Sequence, residues 1–149
     1  MATIQLQPDF KEFLQLLNAR SVEYLIIGGY AVGYYGYPRA TGDMDVWIAF
    51  NADNIRALAE SLREFGFEIS EPGESFLAEG QFIGLGNPPL RIEVLTSISG
   101  VNFAECYAKK TTDVVDGVEV GFIGLQHLKV NKHASGRLKD LNDLQNLPI

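Results

Sequence analysis

Two aspartates separated by one residue stand inside an apolar part of the chain. Asp43 and Asp45 flank Met44 and lead into the run from Val46 to Ala49, which is typical of a buried strand. Because side chains alternate between the two faces of a strand, both carboxylates project from one face. Two such charges repel each other unless a cation lies between them, and Mg²⁺ and Mn²⁺ prefer oxygen ligands of this kind. The spacing predicts a divalent-metal site; the solvated face of an edge strand is the alternative.

A pair of glycines, Gly28 and Gly29, follows the apolar run Tyr24–Ile27. Without Cβ atoms, both residues allow the backbone to approach a bulky group, and the N–H groups of such a turn suit a phosphate. A phosphate cradle beside a metal site suggests chemistry on a metal–nucleotide complex. A plain tight turn is the alternative. The segment is not a dinucleotide fingerprint, because Tyr30 occupies the second glycine position of G-x-G-x-x-G.

A third acidic residue, Glu93, lies in a predicted strand over residues 90–95. Leu90, Ile92 and Val94 form the apolar face of that strand, and Arg91 and Glu93 lie on the other. If this strand lies beside the two aspartates, a separation of about 5 Å places Glu93 within reach of the same metal. Three carboxylates so arranged suit phosphoryl transfer, in which two metals about 4 Å apart bridge the attacking and leaving oxygens. An exposed charge pair with Arg91 is the alternative.

Lys132 lies on the apolar side of a predicted helix, four residues after Leu128 and seven after Leu125. A buried ammonium is costly unless it faces an anion, although a lysine can also extend along an apolar surface to solvent. We expect this ammonium to point into a cleft between Gly28 and Asp45. There it would meet the three acidic side chains or a triphosphate that they hold through metal.

The order of predicted elements is mixed. Strands are predicted at residues 22–27, 43–50, 67–70, 81–85, 90–95 and 118–123. Helices are predicted at the N-terminus from residue 8, at 30–35, from a cap within residues 51–53 to a stop at Gly66, and at 103–110, 125–134 and 138–147. We therefore predict one domain over residues 1–149, of α+β or α/β class, with a small mixed sheet flanked by helices. Arg137 and Asp140 can pair between the last two helices as readily as they can take part in catalysis.

Composition sets broad limits on the class of protein. At 149 residues the chain is long enough for a real core, and its net charge of −7 argues against a large nucleic-acid footprint. No apolar stretch is long enough to span a bilayer, and the N-terminus lacks a signal-peptide pattern. Cys106 is the single cysteine, predicted to be a small core residue. We expect a cytoplasmic protein that does not enter a membrane.

These residues together resemble a known family. Gly28-Gly29, then Arg-x-Thr-x-Asp-x-Asp over residues 39–45, then an acidic strand residue, resembles the nucleotidyltransferase fold of the DNA polymerase β superfamily. The closing segment is similar to that of the AbiEii-like group, which contains nucleotidyltransferase toxins. It reads Leu128-x-x-x-Lys132, then Gly136-Arg137-x-Lys139-Asp140-Leu141-x-Asp143-Leu144. The resemblance covers residues 22–147.

The resemblance implies a site and a reaction. By position, the metal ligands and catalytic carboxylates are Asp43, Asp45 and Glu93, and the nucleotide is bound by Gly28, Gly29, Arg39, Thr41 and Lys132. The implied activity is Mg²⁺- or Mn²⁺-dependent transfer of a nucleoside monophosphate from an NTP to a hydroxyl of RNA, such as tRNA, or of a protein. The implied partner is a cognate antitoxin or toxin. The alternative from another class is a non-catalytic module of the same fold that binds a nucleotide or a partner protein.

Two positions depart from the family pattern. Gly29 stands where many members have serine, which removes a hydroxyl contact but keeps the backbone N–H. Glu93 stands where the third carboxylate is often aspartate. Its side chain is longer by one methylene, and phosphoryl transfer is sensitive to shifts of about 1 Å in the position of a catalytic group.

Overall fold

The computed structural model describes residues 6–38, 42–87 and 90–149. The helices are α1 (Pro8–Ala19), α2 (Gly28–Tyr34), α3 (Ala52–Phe65), α4 (Phe103–Ala108), α5 (Leu125–Ser135) and α6 (Leu138–Asn146). The strands are β1 (Tyr24–Ile27), β2 (Asp43–Ile48), β3 (Phe82–Asn87), β4 (Leu90–Leu95), β5 (Thr111–Val115) and β6 (Val118–Phe122). A short 3₁₀ turn lies at Gly73–Ser75. The predicted α/β class is confirmed.

The six strands form one mixed sheet in the order β3-β4-β2-β1-β6-β5. β1 runs antiparallel to β2 and parallel to β6, while β2 runs parallel to β4. The two hairpins, β3–β4 and β5–β6, lie at the outer edges. The carboxylate-bearing strand β2 is therefore central, so the solvated-edge interpretation of its aspartates is excluded.

Helices cover both faces of the sheet. On one face, α1 buries Phe10, Phe13, Leu14 and Leu17, whose spacing of three and four residues forms a single apolar stripe. Leu14 and Met44 line one small internal cavity, so the alternate residues of β2 face α1. On the other face, Trp47 packs edge-on against Phe103 of α4, with ring centroids 5.1 Å apart. Asp43 and Asp45 share that second face with Trp47 because they alternate with buried Met44.

One predicted strand is wrong, and one predicted helix forms with shifted bounds. No strand forms at residues 67–70; the guanidinium of Arg63 instead donates to the carbonyl oxygens of Ile69 and Glu71, at 3.0 and 3.2 Å. These carbonyls are therefore held by a helix side chain rather than by a neighbouring strand. The predicted helix at 30–35 begins earlier, at Gly28, directly where β1 ends.

One strand, β5, has no counterpart in the sequence prediction. It pairs with β6 across a turn in which Asp116 and Gly117 both have positive φ, at 51° and 80°. Such a two-residue turn matches the twist of a hairpin, and Asp-Gly is a preferred sequence for it. Asp-Gly between valines was therefore a signal for this hairpin.

Other predictions concern the core and the membrane. Cys106 is fully buried, as predicted. Burial raises the pKa of its thiol to about 11, and the charge of Glu105 contributes. None of the helices in the described ranges is long and apolar enough to cross a bilayer.

Candidate active site

The three acidic residues lie side by side on adjacent strands. In the parallel pair β2–β4, Asp45 is opposite Glu93 and Asp43 is opposite Arg91. Neighbouring strands are about 5 Å apart and paired residues face the same side. The predicted adjacency of Glu93 to the two aspartates is therefore confirmed, while the metal-binding role of the three carboxylates stays a prediction.

Asp45 is the most perturbed of these carboxyls. Its pKa is raised to about 7, first by burial, then by the charges of Glu93 and Asp43 and by a hydrogen bond with Glu93. The positive charge of Lys139 partly opposes the increase. Oδ1 of Asp45 is buried without a hydrogen-bond partner among the described residues. A buried oxygen without a donor, in a carboxyl crowded by other acids, is suited to receive a cation.

Gly28 gives the Asp45 carboxylate its space. The pairing of Ile27 with Asp45 places the end of β1 beside the acidic strand. Gly28 follows with a φ of +67°, which side chains other than glycine adopt only at a cost. A Cβ atom at this position would lie 2.3 Å from Oδ2 of Asp45. The first glycine is therefore required both by backbone conformation and by contact with the carboxylate.

A single cleft brings the acidic strands, the glycine turn and the last two helices together. Its volume is about 620 Å³. Its lining comprises Ile27, Gly28, Gly29, Gly42, Asp43, Asp45, Glu93, Leu95, Ser97, Ile98, Ser99, Asn131, Lys132, Ser135, Arg137, Lys139 and Asp140. We call this space the polar cleft. Every predicted site residue that the structure describes contributes to it, whereas Arg39 and Thr41 lie outside the described residues.

The ammonium of Lys132 is held by two acids of α6. Lys132 is 3% exposed, and its Nζ lies 3.1 Å from Oδ1 of Asp140 and 3.0 Å from Oδ2 of Asp143. Asp140 and Asp143 are themselves 0% and 1% exposed. Contact of Lys132 with a triphosphate stays a prediction. The expectation that Lys132 would be buried and face an anion is confirmed, but its partners are acids of α6 rather than the three acidic residues on β2 and β4. The reason is the turn after α5, which folds α6 back along it.

That turn depends on Gly136 and Arg137. Gly136 ends α5 with a φ of +64°, a conformation that favours glycine. The backbone N–H and Nε of Arg137 donate to Oδ2 of Asp140, at 3.2 and 2.7 Å, and cap the first turn of α6. The predicted pairing of Arg137 with Asp140 is thus confirmed. Burial alone would raise the pKa of Asp140, but hydrogen bonds from Arg137 and Lys132 outweigh it and lower that pKa.

A second group of polar residues that line the cleft lies in the loop after β4. The amide of Asn131, which is buried in α5, donates to the carbonyl oxygen of Ser99 at 3.0 Å. A Cβ atom on Gly100 would lie 2.5 Å from the Cβ of Ala134, so the loop packs closely on α5. Ser97 and Ser99 line the cleft on this side. These contacts fix the loop against the same helix that carries Lys132.

Arg91 does not pair with Glu93. No ion pair within 4.0 Å joins these two residues. Instead the Arg91 guanidinium lies over Gly84 of β3, where a Cβ atom would be 1.8 Å from its terminal nitrogen. The interpretation of Glu93 as half of an exposed charge pair is therefore wrong.

Whether the cleft can hold a metal ion depends on the protonation of its carboxyl groups. Within the described residues, no group of three or more histidine, cysteine, aspartate or glutamate side chains has a ready-made metal-binding arrangement. The carboxyls of Asp45 and Glu93 lie close enough to share a proton, and this contributes to the raised pKa of Asp45. A proton and a divalent cation relieve the same repulsion, so the carboxylates fit Mg²⁺ or Mn²⁺ in the deprotonated state.

The sequence prediction missed several cleft residues. The sequence places Lys139 only in the closing motif and Arg137 in that motif and in a pair with Asp140, and it gives no prediction for Ser97, Ser99 and Asn131. A usable signal was Gly136 between two amphipathic segments, because a reversal there returns residues 137–140 to the level of Lys132. The loop after β4 carried no comparable signal.

Comparison with known proteins defines the fold. No protein-family model matches the chain, and no curated protein matches it by sequence. Solved structures do match. A lincosamide antibiotic adenylyltransferase, LnuA, bound to lincomycin, has a TM-score of 0.61 at 15% identity and covers 95% of both chains. The chain has the nucleotidyltransferase fold.

Two further structures agree with this assignment. A candidate nucleotidyltransferase from Thermotoga maritima has a TM-score of 0.64 at 13% identity, covering 95% of this chain and 94% of its own. An antigenic nucleotidyltransferase-like protein from Paracoccidioides brasiliensis has a TM-score of 0.53 at 19% identity, covering 89% of this chain and 70% of its own. Identities this low establish the fold but not the reaction.

Proposed function

We propose that this protein transfers a nucleoside monophosphate from an NTP to a hydroxyl, with Mg²⁺ or Mn²⁺ as cofactor. The observation that carries the proposal is the register of Asp45 with Glu93, beside Asp43 and against Gly28. This places three carboxylates at the floor of the polar cleft, on a nucleotidyltransferase fold. The raised pKa of Asp45 supports it, because perturbed carboxyls in a cleft are typical of functional sites.

The residues divide into two groups in the proposed reaction. Asp43, Asp45 and Glu93 would hold the metal, which would stabilise charge on the phosphates and lower the pKa of the attacking hydroxyl. Gly28 and Gly29 lie where their backbone can approach a phosphate. The hydroxyl oxygen attacks the α-phosphorus, the bond from that phosphorus to its β-bridging oxygen breaks, and pyrophosphate leaves. The hydroxyl proton passes to a carboxylate, for which Glu93 is positioned.

The acceptor is proposed from resemblance and charge. The similarity of the closing motif to the AbiEii-like group favours an RNA, such as a tRNA end, or a protein side chain, and a toxin–antitoxin setting. A net charge of −7 disfavours broad contact with RNA, so a single RNA end or a protein hydroxyl fits better than a long duplex. The LnuA neighbour is described as a lincosamide adenylyltransferase. A small-molecule hydroxyl is therefore included among the acceptors to test.

The decisive experiment is a transfer assay with each of the four NTPs labelled at the α-phosphate. The protein is incubated with Mg²⁺ or Mn²⁺ and, separately, with total cell RNA, cell protein, or a small-molecule fraction. We expect metal-dependent label in one fraction, stoichiometric release of pyrophosphate, and loss of both in Asp45→Asn. Absence of label in every fraction, despite measurable NTP binding, would favour the second candidate function.

That second candidate is a nucleotide-binding module without transfer activity. It is favoured by the absence of a ready-made metal-binding group among the described residues and by the pairing of Lys132 with Asp140 and Asp143. Metal dependence separates the two candidates. A binding module holds NTP with an affinity that Asp43→Asn leaves unchanged, whereas the enzyme needs both the metal and this carboxylate.

A further inference from the structure

The cation expected to meet the triphosphate, Lys132, is already neutralised. Its ammonium lies within 3.1 Å of Asp140 and Asp143, and all three side chains are nearly inaccessible to solvent. Withdrawing the ammonium would take a shared cation from two buried carboxylates, and breaking a buried ion pair is costly. Lys132 therefore cannot move toward a ligand without a large cost.

Two other cations line the same cleft and remain accessible. Lys139 is exposed, and no ion pair within 4.0 Å joins it to a residue in 6–38, 42–87 or 90–149. The side chain of Arg137 is 62% exposed although it contacts Asp140. Both lie close enough to Asp45 for their charges to interact with its carboxylate. They therefore face the acidic floor of the cleft.

The buried cluster sets the position of these two cations. Asp140 accepts from Lys132 on α5 and from the backbone and side chain of Arg137 at the start of α6. Asp143 holds the next turn of α6 to the same ammonium. One buried lysine thus fixes the first two turns of α6, and Lys139 lies in the first of them, between Arg137 and Asp140. Lys139 therefore lines the cleft because the buried cluster attaches α6 to α5.

We propose that Lys139, with Arg137, forms the polyphosphate-binding subsite of the polar cleft, and that Lys132 positions them without touching the ligand. The inference rests on the proposed function, since it names the groups that receive the β- and γ-phosphates of the NTP. The chemistry fits, because an exposed ammonium and a guanidinium in the cleft lining suit a polyanion whose phosphates would extend toward them from a metal at the carboxylates.

Calorimetric titration tests the subsite. The probes are the magnesium complexes of inorganic tripolyphosphate and of each of the four NTPs. We expect Lys139→Gln to weaken binding roughly tenfold to a hundredfold, as for loss of a charged hydrogen bond, and Arg137→Gln to weaken it less. The matched control is Lys129→Gln on α5, which removes the same charge outside the cleft lining and should bind as the wild type does. The salt dependence of binding should also become shallower in Lys139→Gln.

Direct contact of Lys132 with the ligand is tested by a variant in which an apolar pair replaces the ion pair and keeps α6 against α5 without the ammonium. The double variant with Lys132→Met and Asp143→Leu removes one buried charge of each sign, and Asp140 keeps its hydrogen bonds from Arg137. Such apolar replacements are often tolerated. We expect this double variant to bind magnesium tripolyphosphate within about threefold of wild type. Loss of binding in the folded double variant would assign the contact to Lys132 and overturn the inference.

The outcomes separate this inference from the proposed function. If the wild type binds none of the five probes, the proposed nucleotidyl transfer fails at its first step. If the wild type binds a probe and Lys139→Gln binds it equally well, the subsite is wrong while the proposed function stands.

Discussion

A Cβ atom on Gly28 would lie 2.3 Å from Oδ2 of Asp45, closer than any stable contact. The end of β1 and the centre of β2 can therefore lie this close only because residue 28 has no side chain. The relationship links the glycine turn to the acidic pair, because the backbone that could approach a phosphate is the backbone that makes room for the carboxylate. Neither feature can be altered alone.

The first prediction concerns Gly28→Ala. We expect the free energy of unfolding to fall by at least about 1–2 kcal/mol, since a φ of +67° is strained for alanine and the methyl group displaces Asp45. The matched control is Gly33→Ala in the same helix, where an added Cβ meets nothing within 4 Å. It should be neutral or stabilising by about 0.5–1 kcal/mol. Urea denaturation of both variants measures the difference.

Metal titration of the same two variants supplies the functional readout. Gly28→Ala should bind Mg²⁺ or Mn²⁺ with NTP more weakly than Gly33→Ala does, because displacement of the Asp45 carboxylate disturbs the proposed metal site. Equal metal affinity in the two variants would show that the position of this carboxylate does not matter for binding.

The second prediction concerns Lys132→Ala. We expect this change to destabilise the fold. Asp140 and Asp143 would remain buried without their shared cation, and breaking one side of a buried pair typically costs about 3–5 kcal/mol. Chemical denaturation should show a large loss of stability. Lys129→Ala, one turn away on α5, should change stability by less than about 0.5 kcal/mol; similar losses in both variants would contradict the role of the buried cluster.

The third prediction concerns the single cysteine. Burial raises the pKa of the Cys106 thiol to about 11, and its side chain is 0% exposed. Because the thiolate is the reactive form, native protein should react with a thiol reagent at least about a hundredfold more slowly than protein unfolded in urea. The measurement is the rate of absorbance change with an aromatic disulfide at pH 8. Rapid labelling of the native protein would contradict the buried position.

The acidic residues of the polar cleft were more predictable from the sequence than the cleft residues on the last two helices. Alternation along β2 and β4 fixes which side chains share a face, and that is a local property of a strand. Asp43, Asp45 and Glu93 could thus be assigned to one side once the two strands were assumed to be neighbours. The strand order that makes them neighbours, with β1 on the far side of β2, is a tertiary property that the sequence pattern does not contain.

The contacts of the last two helices depend on where the chain reverses direction. Lys132 was correctly placed on a buried helix face, but its partners follow from the turn at Gly136, which brings α6 back to α5. The failed strand at residues 67–70 has a similar cause. Its β-branched and aromatic residues fit a strand, but the contacts of Arg63 with Ile69 and Glu71 hold the segment to α3. Side-chain contacts across a turn override local preference in both places.

The last prediction concerns the pH dependence that Asp45 imposes. In the folded, metal-free protein its pKa is about 7, against an ordinary value of 3.8, mainly because burial and the charges of Glu93 and Asp43 disfavour the ionised form. Between about pH 4 and pH 7 the folded state therefore holds a proton that the unfolded state has released. Stability contributed by this carboxyl is greatest at the acidic end and falls as the pH rises through that range.

The matched variant is Asp45→Asn, which retains shape but cannot titrate. We expect the melting temperature of the wild type, relative to this variant, to fall from pH 5 to pH 8 without metal. Mg²⁺ or Mn²⁺ at pH 8 should reverse the fall in the wild type only, because the cation binds the deprotonated pair and stabilises the folded state by mass action. The same addition at pH 5 should do little, since a proton occupies the Asp45 carboxyl. Parallel pH profiles in wild type and variant, with equal responses to metal, would show that Asp45 neither titrates near neutrality nor binds the cation.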